Sequence, residues 1–134
     1  MLESDIQKLI MLAVAKQGHV LFRNNTAQGW AGQSRAMKHG SANVVCIDNP
    51  RPLYAGLCKG SSDLIGWTSC GLFLAVEVKR PGQKPTPEQA NFTAQVNNAG
   101  GIAIVATSDK DATDQIATEI YRRRLAASCS ASAS

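Results

Sequence analysis

An α/β domain with a mixed sheet flanked by helices is the expectation from this 134-residue sequence. Apolar residues recur at helical spacing near its start, and two glycines precede a short apolar run at Ile102–Ala106. Between Phe73 and Ala106 a strand pattern, a helix-start signature and a second strand pattern follow one another. Strand–helix–strand order makes a parallel crossover, which packs helices against a sheet. The length suits a single domain, expected over residues 1–127, because two smaller halves would each bury little core. With 44% hydrophobic residues the chain is not wholly disordered, and five prolines with eleven glycines carry no collagen-like or proline-rich signature.

Leu2, Ile6, Leu9, Ile10, Ala13 and Val14 share one helical face, which predicts an amphipathic helix from Leu2 to Gln17, stopped by Gly18. Glu3 flanks the apolar stripe, where a first-turn acid suits the helix dipole. His19–Arg23 reads as a short strand. Residues 24–43 are rich in Gly, Asn, Gln and Ser and are expected to form a long loop, a length that compact domains reserve for function. Its bulky or basic markers are Trp30, Arg35, Lys38 and His39; Trp30 could stack on a base, line a dimer seam or anchor local packing. Val44–Ile47 reads as a strand, Asp48–Pro52 as a turn, and Leu53–Leu57 stays ambiguous.

Asp63–Trp67 and Leu72–Lys79 are strand patterns joined by a turn at Thr68–Gly71, hence a hairpin. Thr86-Pro87-Glu88-Gln89 starts a helix: a Thr cap, Pro at the first position and Gln at the third. That helix runs to about Ala99 and ends at Gly100-Gly101. A buried strand follows at Ile102–Ala106. A last helix is expected from Asp111 to Ala126, with acids early and Arg122, Arg123 and Arg124 late; Arg122–Arg124 read as a solvated, dipole-matched end rather than a DNA contact. The Ser/Ala tail, 128–134, is expected to be disordered.

The formal charge is +4, a mild lean toward polyanions. It is concentrated: six Lys/Arg against one Asp lie between Lys16 and Lys59. No apolar run approaches a membrane span, and the acidic start does not read as a signal peptide, so a cytoplasmic protein is expected. Cys46, Cys58 and Cys70 are twelve apart, yet there is no Cys-x-x-Cys pair. Reduced thiols, mostly buried or incidental, are the better reading than structural zinc. His19 and His39 read as surface residues.

The densest chemical signal is Gly60-Ser-Ser-Asp63 followed by Glu77-Val-Lys79. Positions two apart on a strand share a face, so Glu77 and Lys79 project together and Val76 and Val78 oppositely. Antiparallel pairing about a turn near residue 70 brings Asp63 opposite Glu77. Two carboxylates beside a lysine make a site for a hard cation; Mg2+ takes few protein carboxylates and keeps coordination positions for a phosphate oxygen and a water. The lysine is placed to orient that water or to stabilise charge on the phosphate. Gln89 has two available tasks, a capping box with Thr86 or a place facing the sheet that carries Glu77, and its spacing with Phe92 and Val96 favours the second.

These elements resemble the VRR-NUC (virus-type replication-repair nuclease) branch of the PD-(D/E)xK nuclease superfamily. The resemblance rests on Glu3 in the first helix, Phe22-Arg23-Asn24, Gly56–Gly66 with its Lys59-Gly60-Ser61-Ser62-Asp63 centre, Phe73–Lys79, Thr86–Gln89 and Gly100-Gly101, and covers about residues 1–110. It implies a restriction-endonuclease-like fold. It also implies Asp63, Glu77 and the backbone carbonyl of Val78 as metal ligands, Lys79 as catalytic lysine, Glu3 as an additional acid, and Gln89 as a site-facing residue. Ser62 stands where the superfamily name has Pro, at a position that shapes the turn. The implied cofactor is Mg2+, with Mn2+ expected to substitute. The implied activity is that of a phage- or bacterium-encoded endonuclease on branched double-stranded DNA, the compact stand-alone members being homodimers that act on four-way (Holliday) junctions. The absence of room for extra domains favours that mode. Arg23, Lys38 and Lys59 are the candidate phosphate contacts.

Other functions remain open at this level. They are a flap or nicking endonuclease, a non-catalytic nucleic-acid-binding module, a nucleotide phosphohydrolase, and an assembly factor. The intact acid–acid–lysine set disfavours the binding module, and the shortage of aromatics for a base pocket disfavours the phosphohydrolase.

Overall fold

Four short strands, Val20–Arg23 (β1), Leu64–Trp67 (β4), Phe73–Val78 (β5) and Ile102–Ala106 (β6), form a mixed sheet in that order, and the computed structural model describes residues 1–133. In chain order the elements are α1 (Glu3–Lys16), β1 (Val20–Arg23), β2 (Ala27–His39), β3 (Ala42–Ala55), β4 (Leu64–Trp67), β5 (Phe73–Val78), α2 (Pro87–Asn98), β6 (Ile102–Ala106) and α3 (Asp109–Ser132). β1 pairs antiparallel with β4 and β4 antiparallel with β5, while β5 and β6 are parallel through the α2 crossover. The chain divides into two compact units, one of Met1–Asn24 with the chain from Lys59 onward, the other Asn25–Cys58.

The first unit holds the core. Ile6, Ile10 and Val14 from α1 meet Leu64, Leu74, Val76, Val78, Ile102, Ile104 and Ala106 of the sheet, with Ala112 and Ile116 from α3. Each fully buried Leu, Ile or Val contributes about 1.5–3 kcal/mol over leaving it exposed. The opposite face of β5 and β6 carries α2, whose Asn97 amide bonds both the N–H and the carbonyl of Ala103 at 2.9 and 3.0 Å. That pairing satisfies backbone groups of an edge strand that has no further strand beside it. Gly66 lies where β1 crosses β4: a Cβ there would come within 2 Å of the Val20 carbonyl oxygen.

The second unit corrects the expected loop. Residues 24–43 contain all of β2 and the start of β3, and β2–β3 is one long hairpin turned at Gly40-Ser41, with positive φ at Gly40 as in a type II′ turn. Asp48–Pro52 is not a turn. The register slips by one residue between Ala31↔Arg51 and Gln33↔Asp48, and Asn49 has φ 47, which is a β-bulge. Val44–Ile47, expected as a strand, lies within β3; the rest of the hairpin carries no strand signal, because no side chain in it is buried and no alternation of apolar and polar residues marks it.

Four further expectations change. His19 is buried, its Nδ1 accepting the Ser69 N–H at 2.9 Å, because the β4–β5 turn folds over it. α3 continues past Ala126 and takes in 128–132 of the expected tail, since the run is Ala-rich and lacks Gly or Pro to break it; residue 134 lies outside the described residues. Arg123 lies inside this helix and is bound to Glu119 and to the Gly101 carbonyl, whereas the sequence suggests a solvated end. Cys58, Cys70 and Cys129 are exposed rather than buried.

Candidate active site

Glu77 stands on β5 one residue before the strand ends, with only 1% of its surface exposed. One carboxylate oxygen, Oε1, takes two donors: Lys79 Nζ at 2.8 Å and Gln89 Nε2 at 2.5 Å. The other, Oε2, is buried and has no hydrogen-bond partner among the described residues. Leu64 pairs with Val76, and continuing that register by one places Asp63 opposite Glu77, as the sequence predicts. Asp63 Oδ2 accepts the backbone N–H of Val78 at 2.9 Å, and the Val78 side chain points into the core.

Burial drives the Glu77 carboxyl above its ordinary value; the hydrogen bond from Lys79 opposes that shift and the negative charge of Asp63 adds to it. Burial pulls Lys79 down, but its hydrogen bond to Glu77 and the charges of Glu77, Asp63 and Glu3 outweigh this, so the ammonium is held above the usual lysine value. Both partners therefore shift upward. Glu77 has lost nearly all its water, whereas Lys79 keeps 16% of its side chain exposed.

Gln89 performs both of the tasks considered for it. Its Oε1 accepts the Thr86 N–H at 2.8 Å and its backbone N–H bonds Thr86 Oγ1 at 3.3 Å, completing the capping box, while Nε2 reaches Glu77. Gly60 lets α2 come this close. It has φ +85, and a Cβ there would sit 2.6 Å from the Glu88 Cβ.

Glu3, in the first turn of α1, lines a surface pocket of about 340 Å3 with Leu2, Arg80 and Gln83, and its charge acts on Lys79. Arg23 ends β1 and donates to the Ser4 carbonyl at 3.4 Å, beside Glu3. Lys59 pairs with Glu88, the neighbour of Gln89, at 3.8 Å, both side chains being well exposed. The first unit thus brings together Glu3, Arg23, Lys59, Asp63, Glu77, Lys79 and Gln89. Lys38 is exposed one residue before the end of β2 and belongs to the hairpin unit.

The donor set suits a hard divalent cation: two facing carboxylates, one with a buried oxygen that has no hydrogen-bond partner among the described residues. No group of three or more His, Cys, Asp and Glu side chains converges among the described residues. A cation here would rest on Asp63, Glu77 and main-chain oxygen, with Glu3 near by.

Asn24 belongs to the Phe22-Arg23-Asn24 element of the resemblance, but the sequence assigns it no role. Its Nδ2 donates to Ser61 Oγ at 2.7 Å and to the Ser62 carbonyl at 2.9 Å, and its N–H to the Asp63 carbonyl at 2.7 Å. Ser61 and Ser62 are both buried. The signal available was an Asn at the end of a strand with two serines before an acid, which has meaning only once β1 is known to lie beside β4.

A mixed sheet flanked by helices, with two carboxylates and a lysine gathered where β4 begins and β5 ends, is the arrangement of a nuclease-type hydrolase. The chain belongs to the VRR-NUC family: the family model described as VRR-NUC domain matches residues 3–110, a span that holds every residue of the candidate site. Membership makes this a nuclease domain with DNA as its class of substrate. No curated protein matches the chain. Among the described residues no helix is long and apolar enough to cross a membrane.

Proposed function

We propose that this domain is a divalent-metal-dependent, structure-selective DNA endonuclease that cuts four-way junctions as a homodimer. The observation that carries the reading is Glu77, buried, held through one oxygen by Lys79 and Gln89 and left with the other unmet. A buried carboxylate oxygen without a partner costs about 1–3 kcal/mol or more, which a bound cation would relieve.

Asp63, Glu77 and the Val78 carbonyl would hold Mg2+ or Mn2+, with Glu3 as an additional acid. When bound, the ion supplies Lewis-acid stabilisation of a phosphate oxygen and lowers the pKa of a bound water. Lys79, protonated at Nζ, donates a hydrogen bond to Glu77 Oε1 and can donate others that orient the attacking water or stabilise charge on a phosphate oxygen. Gln89 ties the Glu77 carboxylate to the start of α2, and because the cap fixes the Gln89 amide, rotating the acid would cost this bond. Arg23 and Lys59 supply positive charge for phosphates on either side.

The junction and the dimer rest on symmetry and on the family. Resolving a four-way junction needs two symmetric cuts, and a two-fold dimer supplies two identical sites about one axis. Selection by the shape and bendability of the DNA fits a chain without a base-reading recognition helix. The test is cleavage of labelled four-way, flap, nicked and linear DNAs with Mg2+ or Mn2+, alongside light scattering of the protein without DNA. The expected result is a dimer at micromolar concentration that prefers the junction. A strict monomer, even on junction DNA, removes the paired-cut mechanism. A dimer that prefers flaps or nicks keeps the chemistry and replaces the substrate.

A further inference from the structure

We infer that Asn24 is the positioning residue for Asp63, fixing the segment that presents this carboxylate to a cation; the inference rests on the metal-dependent reading above. Asp63 lies one residue before β4, just past the end of the sheet's regular pairing. Three residues earlier Gly60 takes φ +85, so the approach to Asp63 is an irregular turn. A ligand on such a segment must be held to a few tenths of an ångström, and something outside the ladder has to hold it.

Asn24 does so with three bonds. Arg23↔Leu64 is the last regular pair of β1 and β4, and the Asn24 N–H carries the pairing one step further, to the Asp63 carbonyl at 2.7 Å. Its amide nitrogen then spends both protons on the same segment, one on Ser61 Oγ at 2.7 Å and one on the Ser62 carbonyl at 2.9 Å. From the other side the Val78 N–H binds Asp63 Oδ2 at 2.9 Å. The main chain of the segment is therefore fixed by β1 and its carboxylate by β5.

The chemistry selects asparagine. A planar amide nitrogen offers two neutral donors at the required angle. An aspartate would set acceptors against the Ser62 carbonyl and add a charge competing for the cation. A glutamine would carry its nitrogen one methylene too far. All three of Asn24, Ser61 and Ser62 are buried, where an unmade hydrogen bond costs more than at the surface. Partners that orient metal ligands typically change metal affinity by about 10–100-fold when removed.

Calorimetric titration of the full chain with Mn2+, without DNA, tests this. Asn24→Ala is expected to weaken Mn2+ binding about tenfold or more. DNA affinity measured in EDTA should stay within about twofold, because no proposed phosphate contact is touched. Ser61→Ala, which removes the acceptor of one Asn24 bond and leaves the other two, should give a smaller loss in the same direction and serves if Asn24→Ala does not fold. Mn2+ affinity equal to the parent in the folded variants overturns the positioning role while leaving the metal site standing. A parent that binds no Mn2+ overturns the metal reading and this inference together.

Discussion

The β1–β4–β5 pairs and the β2–β3 hairpin are both antiparallel ladders, but they keep their side chains in opposite circumstances. Every residue from Leu74 to Val78 of β5 is buried, whereas none from Ala27 to Ala55 is. In the hairpin Trp30 and Tyr54 stand 59% and 73% exposed, and the one ion pair between its strands, Arg35–Asp48 at 3.3 Å, is solvated. A two-stranded ladder without a buried face is marginal by itself. The hairpin is held by its turn and backbone pairing, and the sheet by apolar burial on the face that meets α1 and α3. A dry environment is what lets a carboxylate and an ammonium act strongly on each other. Such an environment exists in one of the two units only, and Glu77 and Lys79 are found there.

The largest expected effect follows from this. Glu77→Gln or Asp63→Asn keeps side-chain shape and removes one negative charge, and either should abolish cleavage with Mg2+ present while DNA binding and folding survive. Lys79→Ala should lose about 10²–10⁴-fold if it moves or orients a proton, and its Mn2+ binding should persist. Trp30→Ala, in the hairpin, should leave the cleavage rate of bound DNA within a few fold. Cleavage near the parent rate by Glu77→Gln would end the assignment, and a Trp30→Ala loss as deep as that of Lys79→Ala would erase the contrast between the two units.

Stability should divide the same way. Leu74→Ala empties a fully buried position facing α1 and α3 and should cost about 2–5 kcal/mol. Val45→Ala, two-thirds exposed on β3, should cost less than about 0.5 kcal/mol. Urea midpoints of the two variants measure the difference. Equal losses would mean that the hairpin carries a packing role its exposure does not suggest.

Periodicity and spacing made the first unit legible. Ile6, Ile10 and Val14 form the α1 stripe, Ile102–Ala106 is β6 to the residue, and the Asp63–Glu77 facing follows from the turn position alone. What the sequence could not carry was whatever depends on contact rather than pattern. Gln89 looked like a choice between cap and site because a sequence assigns one role to one side chain, whereas an amide has an oxygen and a nitrogen and uses both. Asn24 and His19 bind partners 37 and 50 residues away, and nothing local in the sequence announces those contacts. Apart from Val44–Ile47, the hairpin carries no strand signal, because strands that bury nothing are under no pressure to alternate.

His19 offers a smaller test of that buried–exposed contrast. Burial holds its imidazole below the ordinary 6.5, and its neutral Nδ1 accepts from Ser69. The unfolded chain then takes up a proton more readily than the folded one. The stability due to neutral His19 is fully present above pH 6.5 and is lost as pH falls from there through the lower folded value. The melting temperature should drop across that window, and His19→Gln should flatten the drop. His39→Gln, at the exposed end of β2, is the control and should not. Equal behaviour of the two variants would show that burial of His19 has no bearing on the profile.

The smallest effect is the one that asks whether the hairpin touches DNA at all. Arg23 and Lys59 belong to the unit that holds Glu77 and Lys38 to the other, so the three candidate phosphate contacts sample both units. Each phosphate neutralised releases counterions, and removing one contact should shallow the plot of log affinity against log salt by about one unit. Arg23→Gln should show this change in full. Lys59→Gln should show somewhat less, since Lys59 is already paired with Glu88, although an exposed pair at 3.8 Å is worth only about 0–1 kcal/mol and is readily given up for a phosphate. For Lys38→Gln the expected change is the full unit, because its side chain is exposed and forms no ion pair among the described residues. Fluorescence anisotropy in EDTA, with salt varied at fixed pH, reads all three without cleavage. If the slope moves for Arg23→Gln and not for Lys38→Gln, DNA is gripped by the nuclease unit alone, and the exposed hairpin, with Trp30 and Tyr54 open on it, must be explained by something other than phosphate binding.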